Sequence, residues 1–363
     1  MKQRKRVLMA LSGGVDSALA AHLLLEQGYE LIGATIRGWT PPGWEELTAE
    51  TGGCCSLSSV EDARRIAFKL GIPYYVFNFS DSFEAEVVRP FVDAYFSGQT
   101  PNPCILCNQH IRFGMLYHKA KELQADYVAT GHYARIQKDE QGVYHLFRGM
   151  DPKKDQSYML YTATQENLAM TLYPLGEMFK EQTRKLAEQK GIEVFNKPDS
   201  QDICFIPDGD TTGFLQGYQP GQYEGDIYHV SGVKLGKHQG YHRYTIGQRQ
   251  GLGVAWSKPL YVLDILPNEK RIIVGEKEYL QNLDLRADQV HWISGNLKTD
   301  ALRCQVKIRY AAEAIPATLV VEGQNTVRVQ FEKPVFAVTP GQTVVFYLGD
   351  EVLGGGRILN HNR

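Results

Sequence analysis

Residues 7 to 17 read Val-Leu-Met-Ala-Leu-Ser-Gly-Gly-Val-Asp-Ser, and the helical pattern Ala18-Leu-Ala-Ala21 follows directly. The apolar run predicts a strand, the two glycines a tight turn, and the small residues the start of a helix. Gly13 and Gly14 have no Cβ, so successive backbone N–H groups can face phosphate oxygens, and the helix adds its positive N-terminal end. The segment therefore predicts a phosphate-binding turn between a strand and a helix.

Two polar residues continue this turn. The carboxylate of Asp16 is placed to hold Mg²⁺, and the hydroxyl of Ser17 is placed to reach a phosphate. The stretch is not a Walker A loop, because no Gly-Lys-Ser/Thr closes it, and it lacks the Gly-x-Gly-x-x-Gly dinucleotide fingerprint. The remaining alternative is an ordinary glycine-rich turn.

The first half of the chain alternates between strand-like and helical patterns. Strands are predicted at Val7–Leu11, Leu31–Ile36, Tyr74–Phe79 and Tyr127–Ala129, and helices at Ser17–Gln27, Ser58–Leu70, Asp81–Phe96 and Asn108–Leu123. This alternation predicts an α/β fold with a doubly wound parallel sheet, whose ligands bind at the carboxyl ends of the strands.

Short alternating runs dominate from about Gln216 onward, among them Gly225–Val230, Gly240–Gly253 and Leu260–Val274. Period-two alternation broken by Gly and Pro then predicts a small β-barrel at the end of the chain. We therefore expect a catalytic domain at residues 1–212, a small central mixed domain at 213–282 and a C-terminal β-barrel at 283–363 that contacts RNA.

Composition narrows the class of protein. The 363 residues are 43% hydrophobic and 22% charged, which is ordinary for a globular protein of two or three domains. No apolar run is long enough to span a bilayer, so we expect a cytoplasmic protein without a membrane partner. The formal net charge of −2 gives no overall attraction to nucleic acid, so an RNA site must be a local basic patch. The candidate patches are the N-terminal basic cluster, Arg112 to Lys121, Lys237 to Arg249 and Arg303 to Arg309.

Six cysteines in a chain of this kind favour metal, redox or nucleophilic chemistry over a disulfide framework. Cys104 and Cys107 lie in Thr-Pro-Asn-Pro-Cys-Ile-Leu-Cys-Asn, just before a predicted helix whose dipole favours the thiolate. Cys204 lies far along the chain in Asp-Ser-Gln-Asp-Ile-Cys-Phe. Cys54 and Cys55 are adjacent in a glycine-rich stretch, and Cys304 is expected to be a small apolar strand residue.

Ser-Gly-Gly-Val-Asp-Ser resembles the pyrophosphate-binding loop of the ATP pyrophosphatase superfamily, also called adenine nucleotide α-hydrolase-like. The cysteine loops, together with Thr-Gly-His-Tyr-Ala-Arg ending at Arg135, Lys-Asp-Gln-Ser-Tyr ending at Tyr158 and Tyr-Thr-Ile-Gly-Gln-Arg ending at Arg249, resemble the tRNA 2-thiouridylase family over nearly the whole chain. The resemblance implies ATP-dependent replacement of oxygen by sulfur on the wobble uridine of tRNA.

The family resemblance also implies residue roles. ATP and Mg²⁺ would be held by Ala10, Leu11, Ser12, Gly13, Gly14, Val15, Asp16, Ser17, Ile36 and Gly131, with Asp16 as the Mg²⁺ ligand. The target uracil and the tRNA would be contacted by Asn102, Pro103, Cys104, His132, Lys154, Asp155, Gln156, Arg309, Tyr310 and Gln342. Cys107 would be the catalytic nucleophile, and Cys204 would carry a persulfide.

The implied chemistry couples the two kinds of site. The uracil 2-oxygen attacks the α-phosphate of ATP and pyrophosphate departs, leaving an O-adenylated base that a sulfur nucleophile attacks at carbon 2 while AMP leaves. The base must leave the anticodon stack to reach both centres. The sulfur donor stays open among a relay protein, a cysteine desulfurase and inorganic sulfide.

Cys104 departs from the family pattern, in which that position is Asp. Three thiols at Cys104, Cys107 and Cys204 are enough to ligate a [4Fe–4S] cluster with one open iron, and this hypothesis stands slightly ahead of a Cys204 persulfide. Zinc is a weaker option, because no fourth ligand is evident. Two other functions remain alternatives: an amide-forming ATP pyrophosphatase, like an NAD or GMP synthetase, and an RNA-binding module with a vestigial nucleotide site.

Overall fold

The computed structural model describes residues 4–40, 57–199, 203–206, 209–295 and 299–360. The chain divides into two compact units. The N-terminal unit comprises Met1–Val87, Pro103–Asp210 and Asp350–Val352, and the C-terminal unit comprises Val88–Asn102, Thr211–Gly349 and Leu353–Arg363.

The strands alternate with helices only in the first half of the chain. The strands are Arg6–Ala10 (β1), Glu30–Arg37 (β2), Tyr74–Asn78 (β3), Tyr127–Ala129 (β4), Ala134–Lys138 (β5), Tyr144–Arg148 (β6), Thr171–Leu172 (β7), Gly225–His229 (β8), Lys234–His238 (β9), Tyr261–Leu266 (β10), Arg271–Gly275 (β11), Gln281–Trp292 (β12), Ala301–Lys307 (β13), Ile315–Gly323 (β14), Thr326–Phe336 (β15), Thr343–Leu348 (β16) and Glu351–Ile358 (β17).

The helices are mostly short. The α-helices are Val15–Glu26 (α1), Leu57–Leu70 (α2), Ser80–Phe83 (α3), Arg89–Phe96 (α4), Pro103–Leu106 (α5), Tyr117–Glu122 (α6), Gln165–Ala169 (α7), Lys180–Gln189 (α8) and Thr211–Tyr218 (α9). Two segments, Glu84–Val88 and Cys107–Leu116, are π-helical, and single 3₁₀ turns include Ser157–Leu160 and Tyr241–Arg243.

The N-terminal unit is built on a parallel sheet in the order β3-β2-β1-β4-β7. Alternate residues of β1 face opposite cores: Met9 packs with Leu19 of α1, and Leu8 packs with Leu116 and Ala120. Both faces are therefore covered, which explains why β1 is apolar from Val7 to Ala10. The predicted doubly wound sheet is confirmed.

The C-terminal unit contains two β structures. A four-stranded sheet has the order β10-β11-β8-β9, and its core includes Ile227 and Ile272. Strands β12-β15-β14-β13-β16-β17 form an antiparallel barrel that the pairing of β12 with β17 closes, so the predicted barrel is also confirmed. In the N-terminal unit, Glu351 and Val352 pair with Phe147 and Leu146 of β6.

Some sequence expectations were wrong in detail. The helix predicted at Asp81–Phe96 is divided into α3, a π-helical segment and α4, because Pro90 in the first turn of α4 has no N–H to donate to the preceding turn. The short alternating run at Gly240–Gly253 forms turns and no strand, because Gly240, Gly247, Gly251 and Gly253 have φ between 67 and 142°. No helix among the described residues is long and apolar enough to cross a membrane.

Candidate active site

The turn between β1 and α1 is possible only with glycine at position 13. Gly13 has φ +70°, and a Cβ there would lie 2.4 Å from the carbonyl oxygen of Ser59 at the start of α2. Any larger residue would both strain the backbone and collide with α2. The glycine therefore lets the turn lie directly against a neighbouring helix.

The turn is closed by its own serine side chains. The Ser17 hydroxyl, only 3% exposed, donates to the Gly14 carbonyl at 3.1 Å and accepts from the Ser12 N–H at 3.1 Å. The Ser17 hydroxyl therefore shapes the turn, and its contact with a phosphate stays a prediction. No side chain among the described residues caps α1 at Gly14, so the first-turn N–H groups of α1 are oriented for an anion.

Gly131 brings the end of β4 against the start of α1. A Cβ at Gly131 would lie 2.7 Å from the Ser17 nitrogen and 2.8 Å from the Asp16 carbonyl carbon. Ala10 at the end of β1 and Ile36 in β2 pack on the same hydrophobic cluster nearby in the sheet. The predicted nucleotide residues of three strands are therefore gathered at the carboxyl edge of the sheet, where ligands of such sheets bind.

Asp16 is the centre of a charge network. Its two carboxylate oxygens each accept from Lys180 Nζ at 2.7 Å, and Oδ1 also accepts from the Tyr133 hydroxyl at 2.9 Å. Burial and the neighbouring Asp16 carboxylate raise the pKa of Tyr133, so its proton stays on the phenol. Mg²⁺ would have to compete with Lys180 for Asp16.

Asp199 is the second carboxylate of this network. It contacts Lys180 at 2.9 Å, Lys154 at 2.8 Å and Arg184 at 2.8 Å. Burial alone would raise the pKa of Asp199, but the hydrogen bonds from Lys154 and Lys180 outweigh it and lower the pKa to about 2. Asp199 is therefore ionised throughout the physiological range.

The segment Lys154–Gln156 is bonded mainly within the unit. The buried Asp155 carboxylate accepts from the N–H groups of Gly149 and Ser157, and Gln156 Oε1 accepts from the Tyr133 N–H at 3.0 Å. Asp155 and Gln156 thus fix the backbone around Tyr133. The family resemblance implies that both residues contact tRNA. In the structure their side-chain oxygens already accept hydrogen bonds from backbone N–H groups of the protein.

His132 is held between two partners. Nε2 accepts from Arg112 at 2.6 Å, because a guanidinium can only donate, and Nδ1–H donates to Thr130 Oγ1 at 2.8 Å. Burial, with a smaller contribution from Arg112, holds the pKa of His132 well below its ordinary value of 6.5. The imidazole is therefore neutral, and its visible role is to orient Arg112.

The three cysteines of the hypothesis are thiols and are all partly buried. Cys104 lies in α5 and Cys107 begins the π-helical segment, while Phe205, next to Cys204, packs edge-on against Phe83 with ring centroids 5.8 Å apart. Within the described parts of the chain, no three His, Cys, Asp or Glu side chains form a group that could hold a metal ion. The three thiolates that a cluster needs are not brought together.

Of the remaining cysteines, the structure describes Cys304. Cys304 is buried in the barrel, and burial raises its pKa to about 12, as expected of an apolar strand residue. Cys54 and Cys55 lie outside the described residues.

The predicted tRNA residues of the C-terminal unit lie around one loop. Gln342 Nε2 donates to the Thr100 carbonyl at 2.9 Å, two residues before Asn102, and the Thr100 N–H donates to the Pro340 carbonyl at 3.0 Å. Arg309 donates to Thr339 Oγ1 at 2.8 Å and to the Ala337 carbonyl. Lys307 lies over the ring of Tyr310, 5.7 Å from its centroid. Pro103 belongs to the N-terminal unit.

Sequence reasoning missed four side chains that organise the site. Tyr133 and Asp199 stand inside quoted motifs, and Arg112 stands in a candidate basic patch, so a signal for each was present. Lys180 carried no signal, because only the fold brings it to Asp16, 164 residues away in the chain.

Family models and curated relatives match this chain over nearly its whole length. Three family models match in order: a "tRNA methyl transferase HUP domain" at residues 5–208, a "tRNA methyl transferase PRC-barrel domain" at 212–276 and an "aminomethyltransferase beta-barrel domain" at 282–358. A tRNA-specific 2-thiouridylase of Geobacter metallireducens is 48% identical over 98% of this chain and 97% of its own. One of Carboxydothermus hydrogenoformans is 49% identical over 98% of each chain. Among solved structures, a 4-thiouridine synthetase in complex with RNA and ATP is 21% identical, with a TM-score of 0.36, over 58% of this chain and 50% of its own.

Proposed function

The chain belongs to the tRNA-specific 2-thiouridylase family, and we propose that it catalyses the ATP-dependent 2-thiolation of the wobble uridine of tRNA. The observation that carries the proposal lies in the N-terminal unit. There Lys180 joins Asp16 of the phosphate-binding turn to Asp199, which stands five residues before Cys204 in the sequence.

The nucleotide half of the reaction uses the turn between β1 and α1. The N–H groups at the start of α1 bind the phosphates, and Ala10, Ile36 and Gly131 border the nucleotide. Asp16 together with phosphate oxygens would hold Mg²⁺, since one carboxylate with phosphate oxygens is a common Mg²⁺ ligand set, once the ion displaces Lys180 from one carboxylate oxygen; when bound, it would neutralise charge on the departing pyrophosphate. Attack by the uracil 2-oxygen on the α-phosphate gives the O-adenylated base.

The sulfur half of the reaction uses the thiols. A Cys204 persulfide is attacked at its inner sulfur by the Cys107 thiolate, which forms a Cys107–Cys204 disulfide and releases hydrosulfide. Hydrosulfide adds to carbon 2 of the base and AMP leaves. A thiol reductant must then reduce the disulfide before the next cycle. We route no step through an iron–sulfur cluster, because the three thiols are not gathered into a metal-binding group.

For tRNA, the loop ending at Asn102 and Pro103, with Cys104, borders the flipped uracil. Arg309, Tyr310 and Gln342 hold the RNA on the barrel side, and Lys154 and Arg112 offer cations in the N-terminal unit. Asp155, Gln156 and His132 support these groups through hydrogen bonds inside the protein, and the contact with tRNA that the family resemblance implies for them stays a prediction.

The two alternative functions account for fewer features of the chain. An amide-forming ATP pyrophosphatase needs neither the two cysteine loops nor a C-terminal barrel, and a vestigial RNA-binding module needs no phosphate-binding turn. The matched domain models carry names that refer to methyl transfer, but the full-length relatives are thiouridylases, and thiols serve sulfur transfer directly.

The test is mass spectrometry of nucleosides from tRNA incubated with the protein, Mg·ATP, and a cysteine desulfurase with cysteine, which transfers sulfane sulfur to Cys204 as a persulfide without a further oxidant; a thiol reductant reduces the Cys107–Cys204 disulfide after each cycle. We expect 2-thiouridine only when ATP and the sulfur donor are both present, and none with Cys204→Ala. Cys304→Ala is the matched control and should thiolate normally. Methylated uridine without 2-thiouridine, or full activity in Cys204→Ala, would refute the proposal.

A further inference from the structure

The motif from Tyr244 to Arg249 has no role in the reaction proposed above, yet it contacts the chain just before the uracil-binding residues. The Thr100 hydroxyl donates to Thr245 Oγ1 at 3.2 Å, and both residues belong to the C-terminal unit. Thr100 stands two positions before Asn102, which borders the target uracil in the proposed function. One hydrogen bond therefore links the motif to the segment that carries Asn102.

All three polar groups of Thr100 are bonded to other segments. Besides the bond from its hydroxyl, its N–H donates to the Pro340 carbonyl at 3.0 Å, and its carbonyl accepts from Gln342 Nε2 at 2.9 Å. Gly341 permits this close approach, because a Cβ there would lie 3.1 Å from the Thr100 nitrogen. Thr100 is thus held by two segments that are far from it in the sequence.

The turn that carries Thr245 also fixes the end of α4, which leads to Thr100. The Tyr241 hydroxyl donates to the Phe96 carbonyl at 3.2 Å, and the His242 ring packs against the Phe96 ring with centroids 4.9 Å apart. Both Tyr241 and His242 are buried. The Thr245 N–H donates to Gln248 Oε1 at 3.0 Å, which holds the backbone of Thr245 in place.

Two prolines transmit the position of Thr100 to Asn102. Pro101 and Pro103 each hold φ at about −65°, and the residue before each proline is restricted to extended backbone. Few dihedral angles are therefore free between Thr100 and Pro103. A shift of Thr100 would move Asn102 with it.

We propose that Thr245 is a positioning residue for the target uracil, because its hydrogen bond with Thr100 fixes the place of Asn102. The inference rests on the proposed function, in which Asn102 borders the flipped base. The uracil 2-oxygen must be aligned with the α-phosphate, and a misplacement of about 1 Å at such a centre can slow a reaction by up to roughly a hundredfold. Loss of the bond should slow adenylation of the base and leave tRNA affinity nearly unchanged, since most of that affinity comes from phosphate contacts.

The experiment measures pyrophosphate release in a single turnover, with saturating Mg·ATP and the protein in excess over tRNA. This step precedes sulfur transfer, so the assay needs no sulfur donor. Thr245→Val keeps the shape of the side chain and removes its hydroxyl. We expect its rate constant to fall about tenfold, with the dissociation constants for Mg·ATP and tRNA within about twofold of native. Thr245→Ser keeps a hydroxyl and should restore the rate.

A second variant and a second measurement test the same bond. Thr100→Val removes the other hydroxyl, so the double variant with Thr245→Val should be no slower than either single variant. Hydrogen exchange of the Thr100 amide, measured by peptide mass spectrometry of the full chain without tRNA, should be faster in Thr245→Val, because the bond to Pro340 is loosened. Ser97→Ala is the matched control, since the Ser97 hydroxyl donates to the Asp93 carbonyl of α4 at 2.7 Å, and it should behave like the native protein.

A native rate constant in Thr245→Val would overturn the inference. Additive losses in the double variant, an equal loss in Thr245→Ser, or unchanged exchange of the Thr100 amide in Thr245→Val would overturn it as well. The proposed function fails by a different result, in which the native protein itself releases no pyrophosphate with tRNA. If native protein and Thr245→Val are equally active, only the positioning role of Thr245 is refuted.

Discussion

The thiol of Cys104 has a different environment from the one that a cluster requires. Cys104 lies in the four-residue helix α5, Cys107 follows at the start of a π-helical segment, and no group of three metal-ligating side chains forms around them in the described chain. A persulfide route needs only two thiols, one to carry sulfur and one to release it. Under the proposed persulfide route, Cys104 would border the uracil in place of the Asp of the family pattern and would ligate no metal.

We predict that Cys104→Asp retains thiolation. Its rate in metal-free protein should stay within about threefold of the native rate, because the proposed persulfide route uses only the thiols of Cys107 and Cys204. A threefold change corresponds to under 1 kcal/mol in the activation barrier. The measurement is nucleoside mass spectrometry after dialysis against a chelator, with Cys107→Asp as the inactive control. A native protein that binds about four irons per chain and an inactive Cys104→Asp would instead restore the cluster hypothesis.

His132 makes the stability of the N-terminal unit depend on pH. Its pKa in the folded chain is well below the ordinary 6.5, so below that pH the unfolded chain binds a proton that the folded chain does not. Stability is therefore lost as the pH falls from about 6.5, by up to roughly 1.4 kcal/mol per pH unit until the folded-state pKa is reached.

We predict that His132→Gln flattens this loss between pH 6.5 and 5. The free energy of unfolding, measured by urea denaturation at several pH values, is the readout. His118→Gln removes an exposed histidine of the same unit and should leave the slope as it is. Equal slopes in native protein and His132→Gln would show that the imidazole is not held neutral by the fold.

The sequence predicted which residue types the site requires but not always what they touch. Ser17, Asp155 and Gln156 are predicted to contact ligands, and in the structure their polar atoms bond to the loop, to the turn after β6 and to Tyr133. Their contacts with ligands stay predictions. A motif records that a hydroxyl or carboxylate is needed at a position. It does not distinguish a group that binds a ligand from one that shapes the loop around it.

Packing of β4 against α1 fixes the geometry of the phosphate-binding turn. The contact depends on Gly131, because its Cα approaches the Asp16–Ser17 peptide too closely for any Cβ. The same close approach brings Tyr133, two residues later, within 2.9 Å of Asp16. The absence of a Cβ at Gly131 thus determines both the shape of the turn and the contact of Tyr133 with Asp16.

We predict that Gly131→Ala weakens ATP binding about tenfold or more. A Cβ 2.7 Å from the Ser17 nitrogen forces β4 and α1 apart, and overpacking of this kind costs about 1–3 kcal/mol. Calorimetric titration with Mg·ATP checks the affinity. The matched control is Gly217→Ala, since a Cβ in that helix has no neighbour within 4 Å. Native ATP affinity in Gly131→Ala would mean that the strand end does not shape the site.

The strands and helices could be predicted from the sequence where one hydrophobic period dominates. Strands β1 to β4 were found within a residue or two of the predicted bounds, because all four are strongly apolar, although β3 is a partly exposed edge strand and only the other three are largely buried. The helices around Pro90 and Cys107 were not, because their division into α and π segments follows from proline geometry and packing that leave no change in period. The contact of Lys180 with Asp16 could not be predicted from the sequence, since the order of the strands in the sheet brings the two residues together.

Charge across the protein bears on how it binds tRNA. The formal net charge is −2, and many surface cations, such as Arg303 with Glu332, are paired with carboxylates. Affinity for RNA must therefore come from the few cations that the fold directs to one place. We propose Arg309 as such a cation, because Thr339 and the Ala337 carbonyl hold its guanidinium beside the segment that carries Gln342.

We predict that Arg309→Ala weakens tRNA binding and lowers the slope of log affinity against log salt by about one unit, since each lost phosphate contact releases about one fewer counterion. Fluorescence anisotropy with labelled tRNA at several salt concentrations gives both quantities. The control is Arg303→Ala, an exposed barrel arginine already paired with Glu332, which should keep the native slope. If Arg309→Ala lowers affinity with an unchanged slope, Arg309 supports the loop at Thr339 without touching a phosphate. If neither quantity changes, the RNA lies on another surface.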